Sequence, residues 1–140
     1  MEPFSQGWAE AWCAALRDSE RYRQVAAEWE GSVGLILEQA DGTPARAVLL
    51  DLWHGDCRSA AAVDPDALGD PAFVFQADAD GWGQIFSGRG SPVMALLSGR
   101  IRLVRGDLTR LIPYAGAAKE LLDLIPGGLL PDGDRDILGA

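Results

Sequence analysis

The order of apolar and polar residues predicts two helices at the start of the chain. Over residues 4–18, large apolar side chains recur at helical intervals and polar residues fall on the opposite side. The same spacing appears over residues 22–29, and Gly31 ends that segment. Both segments carry large aromatic side chains, which we expect to anchor the core rather than to stack on a cofactor.

The pattern then changes to the two-residue period of strands. Apolar residues over 33–37 alternate with smaller or polar ones, and residues 40–44 form a turn before a longer strand over 45–54. This second strand is apolar on both faces, which predicts that both sides of the sheet are covered or that a cavity lies beside it. Residues 57–63 predict a third strand with small side chains.

The second half of the chain alternates short strands and helices. In order, the pattern predicts a strand over 73–75, a short helix around 82–86, a helix from Ser91-Pro92 to Gly99, a strand over 100–105, and a helix over 108–125 bent by Pro113. The chain contains no internal repeat and no linker between domains. We therefore expect one domain over residues 1–128 and a mobile tail over 129–140.

Composition and charge narrow the classes of partner. The net charge of −9 argues against nucleic acid, because phosphate binding needs a basic surface. It also disfavours lasting attachment to anionic membranes, and no apolar run is long enough to span a bilayer. The first residues lack the features of a signal peptide, so we expect a cytoplasmic protein. Two cysteines are too few for a structural zinc site or a disulfide framework, and we expect no cofactor and no metal.

The most specific pattern lies between Trp82 and Leu122. It consists, in order, of a Trp-led helix with Ile85-Phe86-Ser87-Gly88, a Ser91-Pro92 helix with Leu96-Leu97, Gly99, the strand Arg100 to Arg105, Gly106-Asp107, and an apolar helix. This order resembles the type-2 sterol carrier protein family, in which a strand ending in Gly-Asp leads into the last helix. The two short helices and the hairpin at the front of the chain are compatible with that family.

The resemblance implies an α+β fold in which helices cover a five-stranded, mostly antiparallel sheet. It also implies an apolar tunnel between the sheet and the C-terminal helices, which holds sterols, fatty acids, acyl-CoA or phospholipids. Members of the family serve as carriers or as domains attached to enzymes, and generally carry out no chemistry. We therefore expect a stand-alone, non-enzymatic lipid carrier. The arginine-rich composition points to a microbial host, for which a fatty acyl or isoprenoid ligand is a better candidate than sterol.

The apolar residues of the second half are the candidate tunnel lining. A tunnel needs only apolar walls and one polar mouth, because burying a lipid chain contributes about 0.8 kcal/mol per methylene. The candidates are Trp82, Ile85, Phe86, Val93, Met94, Leu97, Ile101, Leu103, Leu108, Leu111, Ile112, Ala115, Leu121, Leu122 and Ile125. The plain alternative is that these residues fill an ordinary core. The last helix is apolar nearly all round, and this feature and the resemblance favour a cavity.

Arginines cluster beside the last strand and are the candidates for binding a polar head group. We select Arg105 and Arg110, because a guanidinium at the tunnel mouth would hold a carboxylate or a phosphate. The alternative is that these arginines lie on a solvated face of the sheet.

Two further clusters favour plain structural roles. His54-Gly55-Asp56-Cys57 places the one histidine beside an acid and a thiol, but nothing suggests an oxyanion hole or a third catalytic member. Asp132-Gly133-Asp134-Arg135-Asp136 lacks the glycine and the distal glutamate of a calcium loop.

Two other functions stay open at this point. The apolar surface of the second half could form a homodimer or dock on a lipid-metabolising enzyme. A small enzyme built on His54 and Cys57 is the third alternative.

Overall fold

A computed structural model of the protein describes residues 3–39, 44–87 and 92–125. Within these ranges the α-helices are Gln6–Arg17 (α1), Glu20–Val25 (α2), Ala79–Phe86 (α3), Pro92–Ser98 (α4), Leu108–Leu111 (α5) and Ala115–Asp123 (α6). The predicted turn at 40–43, the predicted tail at 129–140 and the Asp132–Asp136 cluster lie outside the described residues. Across the described part of the chain, no helix is long and apolar enough to cross a membrane.

Five strands form one sheet in the order β3-β2-β1-β4-β5. The strands are Glu30–Glu38 (β1), Arg46–Trp53 (β2), Asp56–Val63 (β3), Phe73–Asp78 (β4) and Arg102–Arg105 (β5). β1 pairs with β2, β2 with β3, and β4 with β5 in antiparallel fashion, whereas β1 and β4 run parallel. The predicted α+β fold with a mostly antiparallel five-stranded sheet is therefore confirmed.

One face of the sheet carries the main core. Helix α1 begins at the N-cap Ser5, whose hydroxyl accepts a hydrogen bond from the Trp8 amide at 3.2 Å. Its apolar side buries Trp8, Trp12 and Leu16 completely against this face. Helix α3 adds Trp82 and Phe86, and the Phe86 ring centroid lies 6.0 Å from that of Trp8, so the aromatic rings of the two helices form one cluster.

The opposite face of the sheet has a smaller apolar cluster. Leu68, in the connection between β3 and β4, packs there with Ala47 and Val74. Gly34 lets this connection approach, because a Cβ at that position would lie 3.1 Å from the Leu68 side chain. This connection is the element that covers the second apolar face predicted for β2.

Pro113 interrupts the predicted last helix more strongly than a bend. A 3-10 turn over Ile112–Tyr114 separates α5 from α6. Proline cannot donate a backbone hydrogen bond, so the α-helical ladder is broken at this point. The interruption places Tyr114 at the start of α6, close to the end of α2.

Candidate functional site

An apolar cavity of about 60 Å³ lies between the sheet and α6. Strands β1, β2 and β4 contribute its floor, α2 and the chain after it contribute one wall, and α5 to α6 form the roof. The lining residues are Tyr22, Trp29, Val33, Leu52, Phe75, Leu111, Tyr114, Ala117, Ala118 and Leu121. The roof therefore consists mainly of the segment that Pro113 interrupts.

Small side chains in α6 are the physical reason for the cavity. Ala117 is buried and Ala118 is half-buried, and both lie over the sheet where a larger side chain would fill the space. Protein interiors are otherwise packed nearly as densely as organic crystals, so an unfilled apolar space is uncommon. The cavity is therefore a place on this face where packing is incomplete.

An open polar groove of about 320 Å³ adjoins the apolar cavity. It is lined by Glu28, Trp29, Glu30, Phe73, Arg110 and Tyr114. Trp29 and Tyr114 line both spaces. Their rings meet edge to face with centroids 4.9 Å apart, and the Tyr114 hydroxyl donates a hydrogen bond to the Glu28 carbonyl at 3.3 Å. This pair of rings separates the apolar cavity from the polar groove.

Arg110 lies over the Phe73 ring, with the guanidinium carbon 5.6 Å from the ring centroid. No carboxylate of the described residues forms an ion pair with it. Arg105 differs, because its guanidinium lies 3.2 Å from Asp70. Of the two arginines selected from the sequence, Arg110 is the one that lines the groove.

The Gly106-Asp107 pair positions this arginine. Gly106 has φ +106°, and a Cβ there would lie 2.3 Å from the Phe73 ring, so only glycine allows the backbone to approach. Asp107 caps α5 by accepting hydrogen bonds from the Thr109 amide and hydroxyl, which lower the pKa of its carboxyl group. The motif thus fixes the start of α5, which carries Arg110.

The other residues predicted to line a tunnel occupy several environments. Leu111 and Leu121 line the cavity. Trp82, Ile85 and Ile101 are buried in the main core, and Phe86 packs beside them. Leu103, Leu108, Leu122 and Ile125 are half-buried, whereas Met94, Leu97, Ile112 and Ala115 are exposed, and the side chain of Val93 lies outside the description.

Most residues that line this cavity are not among those that the sequence predicts to line a tunnel. Tyr22 and Trp29 follow the helical spacing of the first half and were assigned to the core, while Val33 and Leu52 have the alternation expected of any buried strand. One signal was available in the last helix. Residues 115–118 form a run of small side chains (Ala-Gly-Ala-Ala), and small residues that face a sheet indicate space.

The His54–Cys57 cluster is divided between two environments. The imidazole of His54 lies 2.6 Å from the Glu30 carboxylate at the surface. Cys57 is buried, and its thiol donates to the Ser59 carbonyl, so burial raises the pKa of this thiol. In the described part of the chain, no three His, Cys, Asp or Glu residues are grouped as metal ligands would be.

An apolar cavity under a short helix, with a polar groove at its rim, is the arrangement typical of small-molecule binding proteins. The model of the SCP-2 sterol transfer family matches residues 10–118 of the chain. The chain therefore belongs to this family, whose members bind and transfer lipids. The resemblance predicted from the sequence is confirmed.

Solved structures agree with this assignment. A crystal structure of sterol carrier protein 2 is 41% identical, with a TM-score of 0.81 over 88% of this chain and 96% of that chain. A Thermus thermophilus protein described as a candidate sterol carrier is 40% identical, with a TM-score of 0.83 over 96% and 95%. Palmitated SCP2L2 from Aedes aegypti, at 17% identity, shares the fold with a TM-score of 0.51 over 81% and 93%. No curated protein matches the chain.

Proposed function

We propose that this protein is a non-catalytic carrier for one amphipathic lipid. The lipid chain would occupy the cavity under α6, and the head group would lie in the groove beside Arg110. The observation that carries the proposal is the shared wall of Trp29 and Tyr114, which places an apolar space directly against a polar one. Candidate ligands are a fatty acid, an acyl-CoA, a phospholipid or an isoprenoid.

The cavity must enlarge when a lipid enters. Its volume of about 60 Å³ is well below the roughly 300–1,000 Å³ of ordinary ligand pockets. Helix α6 is the element that can yield, because Ala117 is its only buried residue. We therefore expect α6 to move outward as an acyl chain enters.

Two polar contacts hold α6 in the closed position. The Trp12 indole donates a hydrogen bond to the Leu121 carbonyl at 2.9 Å, and Arg21 lies 3.3 Å from Glu120. Burial of an acyl chain contributes about 0.8 kcal/mol per methylene. A few buried methylenes therefore offset the loss of two such contacts, each of which is worth about 1 kcal/mol.

The chemistry of the buried thiol supports a carrier without catalysis. A cysteine nucleophile acts as the thiolate and needs a base within reach. Burial favours the neutral thiol of Cys57, and the His54 ring is engaged by Glu30. We therefore assign Cys57 a packing role beside Cys13, whose thiol donates to the Cys57 carbonyl at 3.2 Å.

An interaction subunit is the second candidate function. It is favoured by the exposure of Leu97 on α4 and of Ile112 before α6, which are 66% and 61% exposed. Contiguous exposed apolar patches mark protein interfaces, and these two side chains would have to belong to one such patch. A stable oligomer that binds no lipid would support this candidate.

The test combines native mass spectrometry with titration of palmitate and of hexadecanol, which have matched tails. The proposed carrier binds one equivalent of each as a monomer. Arg110→Gln should weaken palmitate binding by about fivefold and hexadecanol binding by less than about twofold, because only palmitate carries a charge. Arg105→Gln is the control, since its partner Asp70 lies outside the groove lining. If the protein binds neither palmitate nor hexadecanol, the proposal is wrong.

A further inference from the structure

The polar groove contains opposite charges that do not neutralise one another. Arg110 and Glu28 both line it. Neither forms an ion pair with a described residue, although the pKa of the nearby Asp107 carboxyl group is lowered by its hydrogen bonds and also by the charge of Arg110. Glu30 adds a second carboxylate, which lies against His54. A groove built for a plain carboxylate or phosphate would instead be expected to carry basic groups without unpaired acids.

The arrangement matches a ligand with two charges. The Arg110 guanidinium lies over the Phe73 ring at the groove, and a guanidinium is a strong hydrogen-bond donor to an anionic group. The acidic residues Glu28 and Glu30 and the half-buried Tyr114 line the same groove. Carboxylates and aromatic faces are the groups that bind an ammonium.

We infer that the groove selects a zwitterionic head group, which carries an ammonium together with a phosphate or a carboxylate. This inference rests on the proposed function, in which the lipid tail lies under α6. A head group with only a negative charge would be attracted by Arg110 but would also lie beside Glu28 and Glu30, so it should bind less tightly. A head group with only a positive charge would meet the opposite problem at Arg110. Both charges of a zwitterion find a partner.

Binding of single-chain amphiphiles with one common tail tests the inference. Hexadecylphosphocholine and palmitoylcarnitine are zwitterions with a phosphate and a carboxylate, respectively. Hexadecyl phosphate and hexadecyltrimethylammonium carry one charge sign each. Titration calorimetry below the micelle concentration should show the better zwitterion binding about three- to tenfold more tightly than either singly charged probe. The stronger of the two zwitterions identifies the anionic group.

Two variants sharpen the test. After the double change Glu28→Gln and Glu30→Gln, the protein should bind hexadecyl phosphate as tightly as a zwitterion. After Arg110→Gln, it should bind hexadecyltrimethylammonium as tightly as a zwitterion. Asp64→Asn with Asp66→Asn is the matched control. Both acids lie at the 3-10 turn that follows β3 and do not line the groove, so their loss should leave the preference unchanged.

The outcomes separate the two proposals. If hexadecyl phosphate binds as tightly as the zwitterions to the unmodified protein, the inference is wrong and the carrier function stands. The inference is also wrong if the control pair changes the preference as much as the groove pair does. If none of the four amphiphiles binds, and neither does palmitate, the carrier function fails with it.

Discussion

Two helices cover the same face of one sheet in different ways. Helix α1 buries five residues, including two tryptophans, and packs mainly against β3. Helix α6 buries only Ala117 and is held chiefly by other helices. The space under α1 is filled with aromatic rings, whereas the space under α6 contains the cavity. The difference shows how one core can combine a rigid half with an adaptable half.

The physical reason is side-chain volume at the interface. Each tryptophan buries a large area and makes many close contacts, so displacement of α1 would expose much apolar surface. The alanines of α6 make few contacts, so its displacement costs less. A carrier needs both properties, because it must keep its fold while its ligand site opens.

Truncation of one large side chain in α1 and one in α6 should give the largest difference in the free energy of unfolding. We expect Trp12→Ala to lower the free energy of unfolding by about 3–5 kcal/mol, because it leaves a large cavity in the aromatic core under α1. Leu121→Ala should cost only about 1–2 kcal/mol, since Leu121 is half-buried beside an existing cavity. Urea unfolding measures both. Equal losses would contradict the contrast between the two halves.

Filling the cavity should lower the affinity for lipid and leave the stability of the protein nearly unchanged. Ala117→Leu adds three carbons inside the cavity, so we expect palmitate affinity to fall about tenfold, which corresponds to about two displaced methylenes. The free energy of unfolding should change by less than about 1 kcal/mol, since the added group enters existing space. Ala115→Leu on the exposed side of α6 is the control and should leave affinity unchanged. A similar loss of affinity in both variants would argue against the cavity as the lipid site.

Alkaline titration probes Tyr22 in the α2 wall of the cavity. Burial, and to a lesser degree Cys57, raises the pKa of Tyr22, so the folded state favours the neutral phenol. This stabilisation is complete below pH 10.0, the ordinary pKa of tyrosine, and declines as the pH rises further. At a pH of about 10.5 it should have fallen by about 0.8 kcal/mol.

The variant Tyr22→Phe lacks this group and should lose less stability between pH of about 8 and 10.5 in thermal unfolding. Cys57→Ala is the companion variant, because the buried thiol adds its own decline above its ordinary pKa of 9.0. Parallel pH profiles for the unmodified protein and Tyr22→Phe would show that Tyr22 is not buried as described.

Removal of the ion pair that holds α6 to α2 should have the smallest effect on stability. Arg21→Gln removes the ion pair to Glu120, which is mostly exposed on the arginine side and worth less than about 1 kcal/mol. We expect lipid release, followed by stopped-flow fluorescence, to become about two- to fivefold faster because α6 opens more readily. Arg23→Gln is the control, since its pair with Glu20 lies within α2. Equal acceleration by both variants would show that the ion pair between Arg21 and Glu120 does not control lipid release.

Particular elements show how far the sequence alone leads. Helical spacing over residues 4–18 and the alternation after it predicted α1 and the strands, because these periods depend only on which side of each element is buried. Pro113 and Gly106-Asp107 also determine local structure. Pro113 breaks the last helix. Gly106 lets the backbone approach Phe73, and Asp107 caps α5.

The candidate site was less accessible to sequence reasoning. Of the predicted tunnel residues, Leu111 and Leu121 line the cavity, and of the two predicted arginines Arg110 lines the groove. Trp29 and Tyr114 were not selected, although they form the wall between the two spaces. They lie far apart in the chain, and periodicity does not report which distant residues meet.

The sequence by itself determined the elements, the family and the position of the charged groups along the chain. Only the tertiary structure decided that Glu28 and Arg110 face one groove and that alanines of α6 leave a gap above Val33 and Leu52. A helix or strand forms from local backbone geometry and the burial of one face. A cavity is instead the small difference between the volume that distant elements enclose and the volume that their side chains fill, and it exists only after those elements have packed.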